Sequence, residues 1–236
     1  MAGSNTNWVI VKDGGSATLI DSGYPKDYDG VLDSMASVGV APGDVVSLLI
    51  THAHTDHIGA AERLRTDHRT PVLMHFTELA HARRDVLQQV SIGRVVSQAW
   101  RPGVLPWAVH ALRAGGTADV PVRAPTAFTS AGPLDLPGSP VPFHTPGHTD
   151  GHCAYHLPDH GILITGDALV TAHHVIDRRA STSAQDVPPG PHESPRLAFR
   201  TGEGGGRPHP SRPWSAYRGS AAVAVRLARE AAGGRA

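Results

Sequence analysis

The sequence predicts an α/β layered domain, and three observations carry that reading. Short strand-like apolar runs alternate with segments of helical spacing. The run "DVVSLLI", residues 44–50, is predominantly apolar and of strand length, as expected for a strand covered on both faces. Gly and Pro turns separate the units.

The elements follow in order. "WVIVKDGGSATLIDSG" reads as two strands around an Asp-Gly-Gly turn, a hairpin signal. In "YDGVLDSMASVG" the apolar residues Val31, Met35 and Val38 fall on one helical face, and Gly39 is placed to end the helix. After "DVVSLLI", helix resumes in "GAAERLRTDH", "TPVLMH" supplies another strand, and "TELAHARRDVLQQV" is read as helix. Residues 98–118 are less regular, and Trp100, Leu105 and Trp107 are read there as packing residues of a helical insertion. Strands return in "PLDLPGSPVPFHTPGHTDGHCAYHLPDHGILITGDALV".

Totals narrow the function classes. A chain of 236 residues with 40% hydrophobic and 18% charged residues can bury a substantial core. Lys+Arg and Asp+Glu are both 21, so no net charge draws nucleic acid or an anionic membrane. Cys153, the one cysteine, excludes an intramolecular disulfide and reads as a small buried residue. With neither a signal-like N-terminus nor an apolar stretch near 18 residues, a cytoplasmic protein acting on a small molecule is expected. Sixteen histidines are the compositional outlier and favour metal chemistry.

Those histidines are not scattered. "THAHTDHIG", residues 51–59, sets His52, His54, Asp56 and His57 directly after the buried strand 44–50. Alternate residues of an extended segment share a face, so His52 and His54 can grip one ion together. Asp56 and His57 follow closely enough to serve a second. Imidazole and carboxylate ligands suit zinc, iron or manganese.

"THAHTDH" resembles the His-x-His-x-Asp-His motif of the metallo-β-lactamase superfamily, and the similarity continues. "HTPGHTDGH" is similar to the family's second metal motif, "ILITGDAL" to its strand-end Gly-Asp motif, and "LIDSG" to its early aspartate. The resemblance implies a four-layer αβ/βα sandwich with two zinc ions at one edge between the sheets. It implies that His52, His54 and His148 hold one ion, and that Asp56, His57 and Asp167 hold the other, with Asp167 bridging. Asp56 would also orient the attacking water, and Asp21 would support the ligands. His144 and His152 are read as supporting residues, and His75, His81, His156 and His160 as ordinary histidines. The implied reaction is hydrolysis of an ester, thioester, lactone or lactam by a metal-bound hydroxide, nearest to the glyoxalase II-like and lactonase-like branches. Two alternatives are an iron persulfide dioxygenase-like oxidoreductase and an impaired, non-catalytic copy.

The resemblance covers roughly residues 8–173 and divides the chain into a metallo-β-lactamase-like domain at 1–173, an atypical segment at 174–215 and a C-terminal helix of the same domain at 216–236. Residues 185–215 hold seven of the twenty prolines and only four large apolar residues, Val187, Leu197, Phe199 and Trp214, which reads as disordered. The family's last histidine, in a Pro-Gly-His-Gly-like turn, has no counterpart. His209 is nearest, lacks the strand and the glycines, and is not read as a ligand. With third bases chosen to suit, "SRPWS" back-translates to TCC CGG CCA TGG TCC, which encodes Pro-Gly-His-Gly-Pro one base later. The hypothesis is a compensating pair of frameshifts, the first after His173 and the second close to Ala216.

Overall fold

Gly14 and Gly15 turn the chain between β1 (Val9–Asp13) and β2 (Ser16–Ile20), an antiparallel hairpin in which Val9 pairs with Ile20 and Asp13 with Ser16. The computed structural model of the chain describes residues 6–101, 103–128, 132–168 and the backbone of 196–198. β3 (Val45–Leu49), β4 (Val72–Met74) and β5 (Thr126–Ala127) extend the hairpin in parallel, giving a five-stranded sheet in the order β1-β2-β3-β4-β5. The second sheet runs β6 (Val141–His144), β7 (Cys153–Leu157), β8 (Ile162–Ile164) and β9 (Arg196–Ala198). Its first three strands are antiparallel, and β9 joins β8 in parallel.

Alternation along the central strands builds the layers. Leu19 and Leu48 point away from the second sheet into a core with α1 (Tyr28–Ser37) and α3 (Ala61–His68), which present Val31, Met35 and Leu64. Ile20 and Leu49, one residue on, face a second core with Cys153, Tyr155, Leu157 and Ile164 of the opposing sheet. A strand that feeds both cores has no polar face, which explains why β3 is apolar apart from the buried Ser47, with Val46 alone exposed. Tyr155 is wholly buried, and its hydroxyl donates to the Ile50 carbonyl at 2.8 Å, fastening one sheet to the other beside the end of β3. Burial pushes the Cys153 thiol up to about 12, as suits a packing residue.

Helix, sheet and sheet are thus the described layers of the expected sandwich. The helix expected at 216–236 lies outside the described residues, as do His209 and the rest of 174–215 apart from β9. No helix among the described residues is long and apolar enough to cross a membrane.

Two expectations need correction. "TELAHARRDVLQQV" is not one helix: α4 covers only Leu79–Ala82. Arg84 adopts φ 68°, which breaks the helix and turns its guanidinium back to the Ala53 carbonyl at 2.8 Å. Residues 98–118 do carry a helical insertion: α5 (Ile92–Ser97) precedes them, and α6 (Val104–Arg113) lies within them. Trp100 and Leu105 do not pack, however, being 78% and 57% exposed; Val104 is the buried anchor.

Met35 fixes α1 to the first sheet with no exposed surface. Met35→Ala is expected to cost about 2–5 kcal/mol in denaturant unfolding, the range for truncating a buried Met; a loss under about 1 kcal/mol would contradict the assignment of this core.

Candidate metal centre

The parallel strand β3 ends at Leu49, and the chain then delivers His52 and His54 on an extended segment before α2 (Thr55–Ile58) carries Asp56 and His57. Strand ends in parallel sheets are where α/β folds gather ligands. The second sheet contributes its own loop, 145–152, between β6 and β7, and Cys153 N–H closes on the Thr51 carbonyl at 2.8 Å. Gly166 and Asp167 follow β8 on a tight turn. Gly166 has φ 50°, and a Cβ there would meet His152 Nε2 and Thr51 Cβ at 2.8 Å, so only glycine lets Asp167 approach.

Hydrogen bonds dictate which ring nitrogens are bare. The Gln88 carbonyl can only accept, so His54 donates from Nε2 to it at 2.8 Å and leaves Nδ1 as a lone pair. Thr51 Oγ1 donates to the Asp21 carboxylate at 2.8 Å and therefore accepts from His52 Nδ1 at 3.1 Å, leaving His52 Nε2 as a lone pair. These two bare nitrogens lie 3.1 Å apart, and His54 Nδ1 is also 3.0 Å from His148 Nε2. Lone pairs aimed at one another repel unless a cation stands between them. The donor set fits a metal ion: His52, His54 and His148 bring one nitrogen each to within 4.8 Å of one another.

A second group, His52, His57 and Asp167, meets the same distance condition. Asp167 spans both, with Oδ1 3.5 Å from His57 Nε2 and Oδ2 3.5 Å from His148 Nε2. Asp56 stands beside the second group, its Oδ2 3.8 Å from His57 Nε2. The structure thus gathers all six residues singled out from the sequence, with Asp56 outside the two tight trios.

Asp21 underlies this edge. It takes φ 58°, and its buried carboxylate accepts from Thr51 N–H at 2.8 Å, Thr51 Oγ1 at 2.8 Å and His57 Nδ1 at 2.8 Å. Such strained backbone persists only where neighbouring bonds hold it. His152 is fully buried rather than a free ligand: its Nε2 accepts from Asp167 N–H at 3.1 Å, and its Nδ1 donates to Thr145 Oγ1 at 2.8 Å.

Electrostatics sorts the imidazoles. Burial, with His148 adding repulsion, pushes His54 down to about 3, and the same causes bring His152 to about 3. Burial and the neighbouring histidines hold His52 well below its ordinary value. His57 is the exception: burial works against its charge, yet Asp21, Asp56 and Asp167 outweigh it and raise its pKa well above the ordinary value.

Sequence reasoning missed Glu78, Arg84 and Gln88. Glu78 follows the end of β4 in "HFTELAH" and is completely buried. Burial pushes its carboxyl up, but bonds from His81, Ala53 N–H and Thr149 outweigh it and hold it at about 2. An acid just past a central parallel strand was the available signal. Arg84 and Gln88 act through backbone carbonyls and left no pattern.

The pH dependence has a definite sign. His54 and His152 have folded values near 3 against 6.5, so their contribution to the stability of the metal-free protein is complete above pH 6.5 and lost as pH falls towards 3. His57, raised above 6.5, contributes constantly below that pH. The metal-free Tm is expected to fall between pH 6.5 and 4, and His152→Asn to flatten that slope. An unchanged slope would contradict the burial of neutral His152.

Residues 1–203 match the metallo-beta-lactamase superfamily. Over 164 residues the chain is 29% identical to the "Probable metallo-hydrolase YflN" of Bacillus subtilis, covering 66% of this chain and 56% of that protein. Over 41 residues it is 51% identical to "Metallo-beta-lactamase domain-containing protein 1" of Rattus norvegicus, covering 17% of this chain and 16% of that protein. It therefore spans less than two thirds of the length of these relatives. The metallo-beta-lactamase family protein TTHA1429 of Thermus thermophilus shares the fold, with a TM-score of 0.52 at 19% identity over 95% of this chain and 62% of that one. From the histidine loop to the sandwich around it, this chain belongs to the metallo-beta-lactamase superfamily.

Proposed function

We propose that the protein is a metal-dependent hydrolase of a small ester, thioester, lactone or lactam, with zinc held in two neighbouring sites. The observation that carries this reading is the convergence of three imidazole nitrogens, with the bare Nδ1 of His54 3.1 Å from the bare Nε2 of His52 and 3.0 Å from His148 Nε2. His52, His54 and His148 would hold one ion, and Asp56, His57 and Asp167 the other. Bound metal supplies Lewis acidity and lowers the pKa of water towards neutrality. The chain's own residues do the rest. Asp167 offers one carboxylate oxygen to each group, which suits a bridging role. Asp21 accepts from His57 Nδ1 and so aims Nε2 towards Asp56 and Asp167. Asp56, an acceptor beside His57, would hold a water by its hydrogen and keep its oxygen lone pair turned to the substrate. The likeness of "TPGHT" and "GDAL" to glyoxalase II-like and lactonase-like sequences supports thioesters and lactones among the candidate substrates.

Turnover of an acyl thioester or a lactone by zinc-loaded protein is expected to vanish with a chelator and return with zinc. His54→Ala and Asp167→Ala are expected to lower kcat/KM by more than about 100-fold, beyond the range typical of residues that merely support a ligand. Turnover indifferent to chelation would contradict the proposal. Iron-dependent oxygen uptake with glutathione persulfide would replace it with the oxygenase reading.

A further inference from the structure

Glu78 is hydrogen-bonded to the chain beside three of the residues proposed as ligands. Oε1 accepts from Ala53 N–H at 2.7 Å, and Ala53 lies between His52 and His54. Oε2 accepts from Thr149 Oγ1 and from Gly151 N–H, both at 2.9 Å, and Thr149 follows His148. One oxygen therefore holds the loop from the first sheet, and the other holds the loop from the second. A fourth bond, from His81 Nδ1 at 2.9 Å, loads Oε1 again, and the His81 ring lies edge-on to His54 with centroids 5.5 Å apart.

The arrangement leaves no slack. Arg84 Nη1 grips the Ala53 carbonyl at 2.8 Å, so the peptide units flanking Ala53 are pinned by N–H on one side and by C=O on the other. Gly151 approaches so closely that a Cβ there would meet Glu78 N at 2.5 Å and Oε2 at 2.6 Å. A buried carboxylate is expensive without partners, and here its partners come almost wholly from the two ligand-bearing loops. The shared carboxylate thus ties the loop that carries His52 and His54 to the loop that carries His148.

We propose that Glu78 is a positioning residue that sets the spacing between the His52–His54 pair and His148 and holds the trio ready for metal. This rests on reading that trio as a metal site. Glutamine in its place has one accepting oxygen instead of two. Whichever loop that oxygen serves, the amide nitrogen confronts an N–H donor of the other, so one loop is released. Supporting bonds of this kind are typically worth about 10–100-fold in metal affinity.

The test is cobalt(II) titration of the purified full-length protein, followed by visible absorption, with affinities fixed by chelator competition. Wild type, Glu78→Gln, Thr149→Val and Met35→Ala are compared, the last as a control that destabilises the helix-side core without removing any of the Glu78 bonds. The expected result is a loss of at least about 10-fold in affinity and altered ligand-field bands for Glu78→Gln. Thr149→Val, which removes one bond without touching the charge, is expected to lose less, and Met35→Ala to keep both affinity and spectrum. If Glu78→Gln does not fold, a wild-type affinity and spectrum for Thr149→Val overturn the proposal. A wild-type affinity and spectrum for Glu78→Gln do so directly, and so does an equal loss in Met35→Ala, which would reduce the effect to stability. Wild type that binds no cobalt overturns the metal reading, and this inference with it.

Discussion

Three imidazole nitrogens set at 3.0 and 3.1 Å spacings are the constraint on which the rest of the protein depends. At least two of them, on His52 and His54, carry lone pairs, because their ring partners are committed to Thr51 and to the Gln88 carbonyl. Such an arrangement is unfavourable by itself. It is kept because two sheets meet at this edge, and each sends a loop that cannot retreat without breaking the bond from Cys153 to the Thr51 carbonyl.

Charge follows from the same crowding. The imidazoles nearest the trio stay neutral, since burial and mutual repulsion penalise any proton, while His57 is surrounded by Asp21, Asp56 and Asp167 and favours one. Two buried carboxylates frame the edge. Asp21 braces the first loop and His57 from the hairpin side, and Glu78 ties that loop to the second from the far end of β4. Both carboxylates pair mainly with backbone N–H, hydroxyl and imidazole donors. Their cost of burial is thus offset by bonds that also fix the site.

Much of this was legible in the sequence, for identifiable reasons. The apolar character of β3 announces a strand covered on both faces, and the strand does feed both cores, with Val46 alone exposed. Ligands supplied by consecutive residues of one loop leave a spacing, so His52, His54, Asp56 and His57 could be read directly, and the strand-end Gly-Asp pair drew attention to Asp167. The break of α4 could not be read, because Arg84 leaves helical geometry to reach a carbonyl that sequence does not reveal. Glu78 escaped for a similar reason: its four partners come from three separate stretches of chain, and only folding brings them together. Trp100 looked like packing because it is large and apolar, whereas the insertion turns it outward.

The most direct test of the central claim is an anomalous difference map, collected at the zinc edge, from crystals of the zinc-loaded protein. A strong peak enclosed by His52 Nε2, His54 Nδ1 and His148 Nε2 is expected. Zinc absent from that position, or bound elsewhere with the three nitrogens left facing one another, would contradict it.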